Sequence, residues 1–113
     1  MRHAAGSLDR LFTYARGELL SDAQRAALAR ETAPAEQGNA GAAELVAAFE
    51  AQVERALVQL RATPENRLTE RREVGRSRLP STVLGLLFHA AEHTQRHVGQ
   101  TITTAKIVEG LGA

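Results

Sequence analysis

The sequence predicts an all-α fold, an up-and-down helical bundle formed by a single domain over residues 1–113. Three observations support this prediction. Ala and Leu dominate the apolar residues, β-branched residues are sparse before position 81, and apolar residues recur at the spacing of amphipathic helices. A chain of this length can bury one core. No segment indicates a β-sheet, and we expect none.

Composition limits the kinds of partner that this chain is expected to bind. The formal net charge is +1 and the two signs are interspersed, so the chain lacks the one-sided basic field of a nucleic-acid binder. There is no cysteine, so a metal would have to be held by imidazole and oxygen. The apolar runs are too short to span a membrane, and the start has no signal-peptide core. We therefore expect a cytoplasmic protein without nucleic-acid or membrane partners.

The first third of the chain predicts two helices. Residues 4–16 carry apolar side chains at helical spacing, and Gly17 follows as a C-terminal cap. Ser21 and Gln24 form a capping box, in which each side chain satisfies a free backbone donor, and this box opens a short helix through about residue 30. Residues 32–41, with their proline and glycines, are predicted to be a flexible connection.

Two long helices are predicted in the rest of the chain. Residues 42–62 carry one apolar stripe opposite solvated glutamates, and Thr63-Pro64 ends the helix. Residues 64–80 hold five arginines and are predicted to be a crossover loop. Residues 81–109 form the last helix, with Gly110 as its stop. The Thr101–Thr104 segment would also suit a strand, but the helical period continues through it and the chain offers no partner strand.

Three of the four histidines stand four residues apart, at positions 89, 93 and 97. This spacing places the imidazoles on one face of the last helix, beside its apolar stripe. A neighbouring pair can chelate one metal ion. All three cannot, because His89 and His97 are separated by about 12 Å of helix rise. A third histidine ligand would have to be His3. The alternative is that these are hydrogen-bonded boundary residues without a metal, and spacing alone leaves both interpretations open.

Two segments resemble a known family. The run Leu86–Gln100 looks like the C-terminal signature of the DinB-like (damage-inducible) superfamily of metalloenzymes. The opening Arg2–Gly17 resembles the second helix of that family, which begins with a metal-binding histidine. The resemblance runs through the entire chain, although the family's first helix has no counterpart in this sequence.

The resemblance implies a four-helix bundle, shortened at its N-terminus, that binds a divalent metal. Its implied ligands are His3, His93 and His97, and the metal is expected to be zinc or nickel. His89 falls one turn before the pair, where we expect it to support a ligand or to make boundary hydrogen bonds. The implied activity is metal-dependent hydrolysis or transfer involving a small-molecule thiol. A bundle without its first helix would expose an apolar groove, so we expect either a homo-oligomer, most simply a homodimer, or a natural start site farther upstream.

Two alternatives to a metalloenzyme remain. In the first, the chain is a non-catalytic helical interaction module whose histidines are structural. In the second, its arginine-rich loop binds an anionic small molecule. Among other candidates, Glu92 points about 100° away from His93 and is not assigned as a general base. Tyr14 shares a face with His3, but an aromatic side chain at the edge of the core is the favoured interpretation.

Overall fold

Four helices and one small hairpin make up the computed structural model, which describes residues 1–31 and 41–112. The helices are α1 (Arg2–Ala15), α2 (Asp22–Glu31), α3 (Ala42–Ala62) and α4 (Val83–Gly110). A short 3-10 turn at Glu65–Arg67 precedes the strands β1 (Arg71–Val74) and β2 (Leu79–Thr82). The predicted helical fold is confirmed. The predicted flexible connection lies outside the described residues, apart from Gly41, which precedes α3.

Helix α1 lies at the centre of the packing and contacts the other three helices. One hydrophobic core joins its buried face to α3 and to the first two turns of α4. Full burial of a large aliphatic or aromatic side chain contributes roughly 1.5–3 kcal/mol, so this cluster supplies the main packing energy. The core residues are Leu8, Leu11, Phe12, Ala15, Ala56, Val83, Leu86, Leu87 and Ala90.

The helices alternate in direction along the bundle. Gln24, near the start of α2, donates to Thr13 near the end of α1, whereas Glu31 at the end of α2 accepts from Arg10. On α4, Val83 lies near Ala15 at the end of α1, whereas His93 and His97 lie near His3 at its start. Helices α2 and α4 are therefore antiparallel to α1, which confirms the predicted up-and-down order.

Local sequence signals place the helix ends. The capping box forms as predicted: Gln24 Oε1 accepts from the Ser21 backbone at 2.8 Å, and Ser21 Oγ accepts from the Gln24 backbone at 3.1 Å. Gly17 adopts φ +79° just after α1, a left-handed conformation that glycine adopts without steric cost. Helix α3 has the predicted bounds. Helix α4 begins two residues later than predicted, because Thr82 caps it by accepting from the Gly85 backbone at 3.0 Å.

The expectation of no sheet, and of a loop over residues 64–80, was wrong. Strands β1 and β2 pair antiparallel, with Arg71 opposite Thr82 and Val74 opposite Leu79. The turn between them uses Gly75 at φ +72°, and the hairpin packs Val74 against the core. Its strands are only four residues long; β1 has two arginines and β2 has a proline, so they lack the apolar alternation that marks a strand in a sequence. Pro80 is tolerated because a two-stranded sheet consists of edge strands.

An apolar groove of about 190 Å³ runs between α3 and α4 over α1, and α2 does not line it. Helix α4, with 28 residues, extends about 42 Å, twice the length of α1, and residues 99–112 are all exposed. In the described ranges, 1–31 and 41–112, no helix combines the length and apolar character needed to cross a membrane. The groove is lined by Leu8, Phe12, Val53, Ala56, Leu57, Leu60, Leu87, Ala90, Ala91, Thr94 and Gln95.

The expected self-association stays a prediction, and the groove gives it a test. Leu57→Lys places a charge in the groove and should shift a dimer to monomer, because burying an unpaired ammonium is costly. Val58→Lys, at the neighbouring and 63% exposed position, should leave the assembly unchanged. Analytical ultracentrifugation at micromolar concentration measures both. A wild-type chain that sediments as a folded monomer of 12.2 kDa would contradict the prediction.

Candidate metal centre

Three histidines from two helices converge at one end of α1. His3 lies in the first turn of α1, and His93 and His97 lie one turn apart on α4. The ring centroid of His3 is 5.2 Å from that of His93 and 4.8 Å from that of His97, and the two α4 rings are 4.4 Å apart. One nitrogen from each ring lies within 4.8 Å of the other two. The structure thus brings together the three residues that the sequence analysis named.

Packing between α1 and α4 produces this convergence. Ala90 of α4 is 1% exposed and sits in the core, so the helix turn that follows it faces the start of α1. Ser7 is buried at this crossing, and its Oγ lies 3.3 Å from His93 Nδ1. His93 and His97 are half-buried, whereas His3 is exposed. The site is therefore a partly open pocket at the surface end of the core.

The two α4 ring nitrogens have the spacing of two ligands on one divalent ion. Two nitrogens, each about 2.1 Å from a tetrahedral zinc ion, lie about 3.4 Å apart. The separation of His93 Nε2 from His97 Nε2 is 3.3 Å. Neutral imidazole nitrogen suits zinc, copper, iron and nickel. Within residues 1–31 and 41–112, His3, His93 and His97 form a group that could hold a metal ion.

The surroundings of His93 favour its neutral form. Burial lowers the pKa of His93 below its ordinary value of 6.5, because the charged imidazolium is poorly solvated there. Nearby positive charge lowers the pKa of His93 further. It comes from His97, His3 and His89 in their protonated forms and from the guanidinium of Arg96. A metal ligand must offer a free lone pair, so the lowered pKa keeps His93 ready to bind at a pH where an ordinary histidine would be partly protonated.

Two further side chains contact the imidazoles. Ser7 Oγ faces Nδ1 of His93, and Oε2 of Glu31 lies 3.4 Å from Nδ1 of His3. Glu31 also pairs with Arg10 at 2.9 Å. Sequence reasoning missed Glu31. Its separation from His3 by 28 positions leaves no local signal, and the antiparallel return of α2 would have been needed to find it.

His89 lies outside the cluster. Its Nδ1 is 3.5 Å from a Glu92 carboxylate oxygen, and Glu92 also pairs with Arg96 at 3.1 Å. These side chains are about half exposed, so they form a solvated network on the outer face of α4. This contact matches the expected boundary role of His89 and gives Glu92 a partner other than the metal cluster.

Tyr14 and the arginine-rich segment lie away from the histidines. Tyr14 is partly buried and packs against the hydrophobic core, as favoured. Arg72 of β1 donates to the carbonyl of Ala15 at 2.9 Å, so the hairpin covers the C-terminal end of α1, whereas His3 stands in its first turn. Arginine residues of this segment therefore lie at the opposite end of α1 from the histidine cluster.

A cleft of about 390 Å³ opens directly onto the cluster. His3 and His97 form part of its wall, and the rest comes from the first residues of α1 and the exposed part of α4. Its polar groups are an amide and two hydroxyls, and no Asp, Glu, Lys or Arg side chain is among the described residues that line it. The lining comprises Met1, His3, Ala4, His97, Gln100, Thr101, Thr104 and Ala105.

Comparison with known families agrees with this architecture. The family model described as the DinB superfamily matches residues 1–101, which include α1, the hairpin and all four histidines. No curated protein and no solved structure matches the chain. The match covers most of the sequence and therefore shows the family.

The lowered pKa of His93 predicts how the stability of the metal-free protein depends on pH. The unfolded chain protonates this residue near 6.5, whereas the folded chain does so only at lower pH, so the free energy of unfolding should decrease as the pH falls through that window. His93→Gln should flatten the dependence, and His89→Gln, on the exposed face, should largely keep it. Urea denaturation across the window, with a chelator present, measures the slope. An unchanged slope in His93→Gln would contradict the assignment.

Proposed function

We propose that this chain, which belongs to the DinB superfamily, binds one divalent metal ion through His3, His93 and His97. The observation that carries the proposal is the convergence of three imidazoles from α1 and α4, two helices that are far apart in the sequence. A histidine pair on one helix is common without a metal. A third imidazole, with a ring nitrogen brought to within 4.8 Å of a nitrogen of each of the other two by tertiary packing, supports a binding site.

Zinc or nickel best suits this donor set. The three ligands are neutral nitrogens, and a site with three protein ligands leaves a coordination position for water or substrate, as in catalytic zinc sites. When bound, such an ion acts as a Lewis acid that activates a nucleophile or polarises a substrate oxygen at neutral pH. The protein's own contribution is to hold three lone pairs toward one point and to keep His93 neutral.

The cleft beside the cluster supports an enzymatic role. A substrate in it would contact His3 of α1 and the face of α4 that carries His97, Gln100 and Thr104. Besides the two histidines, the lining offers amide and hydroxyl groups, which suit a small molecule that can form hydrogen bonds. We therefore propose hydrolysis of a small substrate, or transfer to a small-molecule thiol, as the reaction class.

A second candidate is a non-catalytic interaction module in which the histidines are structural. The apolar groove between α3 and α4 favours it, because exposed apolar grooves are typical of protein-binding surfaces. In this case the chain would bind a partner helix through the groove, and loss of the metal would leave that binding unchanged.

Removing one ligand should distinguish the metal site from a structural histidine cluster. His97→Ala should lose most bound zinc, since the remaining pair offers only two nitrogens. His89→Ala, one turn before the cluster on the same helix, should keep it. Isothermal titration with zinc, on protein purified without a histidine tag, measures both affinities. If His89→Ala strips the zinc and His97→Ala retains it, the ligand assignment is wrong.

Access of a thiol to the metal should distinguish the enzyme from the interaction module. With cobalt as the probe ion, mercaptoethanol should produce the near-ultraviolet charge-transfer band of a cobalt-thiolate bond. Thr104→Trp should suppress the band by filling the cleft, whereas Thr103→Trp, at a neighbouring exposed position outside the cleft lining, should leave it. Absence of the band in cobalt-loaded wild-type protein would contradict the thiol reaction.

A further inference from the structure

The last residue of α2 is fixed against the first two turns of α1. The Glu31 side chain is 8% exposed, and its two carboxylate oxygens accept from Arg10 at 2.9 and 3.3 Å. Arg10 is itself 12% exposed at its side chain. Two parallel hydrogen bonds between a guanidinium and a carboxylate fix orientation as well as distance. Glu31 is therefore held in one position by Arg10.

Gly6 makes room for this carboxylate. His3, Gly6 and Arg10 lie at the spacing of one helix face, and Glu31 is seated over the middle position. A Cβ built on Gly6 would collide with Oε1 of Glu31 and would lie 2.9 Å from Nη1 of Arg10. Any larger residue at position 6 would displace the carboxylate.

Glu31 also contacts His3, a proposed metal ligand. Oε2 lies 3.4 Å from Nδ1 of His3, whose side chain is 50% exposed and stands in the first turn of α1. An exposed ring at the start of a helix has rotational freedom that a metal site must restrict. A neutral imidazole carries one N–H, and the nitrogen that carries it is set by its hydrogen-bond partner.

We propose that Glu31 is a positioning residue for His3. Its carboxylate accepts the Nδ1–H of His3, which selects the tautomer with a free Nε2 lone pair and directs that nitrogen toward His93 and His97. This inference rests on the proposed metal site and extends it to α2. Carboxylates that orient metal-binding histidines in this way strengthen the site without touching the ion.

The test compares the zinc affinity of the wild-type protein with that of three variants. Glu31→Gln replaces the charged acceptor with an amide and should weaken zinc binding by about 10- to 100-fold. Gly6→Ala displaces the carboxylate while retaining both Glu31 and Arg10, and should weaken binding similarly. Gly99→Ala is the matched control, because it makes the same change within a helix where a Cβ meets nothing within 4 Å. Both alanine variants increase helix propensity, so a general loss of folding would not explain a selective effect of Gly6→Ala.

Nitrogen NMR of histidine-labelled, zinc-loaded protein supplies a second measurement. Wild-type His3 should bind zinc through Nε2 and show a hydrogen-bonded Nδ1–H signal, which should shift in Glu31→Gln. Wild-type affinity in both Glu31→Gln and Gly6→Ala, or binding of His3 through Nδ1, would overturn the inference and leave the metal site in place. A wild-type protein that binds no zinc would overturn the proposed function together with this inference.

Discussion

The packing of α1 against α4 is the constraint on which the structure depends. Leu11 and Phe12 of α1 and Leu86 and Leu87 of α4 share one core. Once that core forms, the antiparallel direction of the two helices carries the start of α1 to the turns of α4 that follow Ala90. The free energy that orders the histidines is therefore the burial of apolar surface about two helical turns away, and the site can remain polar and partly open.

The two ends of α1 make different kinds of contact. At the C-terminal end of α1, Arg72 of the hairpin donates a hydrogen bond to the backbone carbonyl of Ala15. Gly17 turns the chain there. At the N-terminal end, α2 returns to place Glu31 beside His3, and Ser7 lies beside His93. The short helix α2 has no fully buried residue, so its polar contacts with α1, including those of Gln24 and Glu31, hold it in place.

The sequence predicted most of the helices and the histidines of the site, because those features have local signals. The bounds of α3, the Ser21–Gln24 capping box and the one-turn spacing of His93 and His97 are all encoded within a few residues. The pairing of β1 with β2 was missed, since these four-residue strands, one with two arginines and the other with a proline, lack apolar alternation. Glu31 was missed because its role arises only when α2 folds back onto α1, a tertiary contact that periodicity does not report.

The central claim is that three imidazoles from α1 and α4 hold one divalent ion. The most direct measurement is a crystal structure of zinc-loaded protein with anomalous diffraction at the zinc edge. The account predicts one peak about 2.0–2.1 Å from the Nε2 atoms of His3, His93 and His97. A peak bound by His93 and His97 alone with His3 turned to solvent, or a peak located at His89, would contradict it.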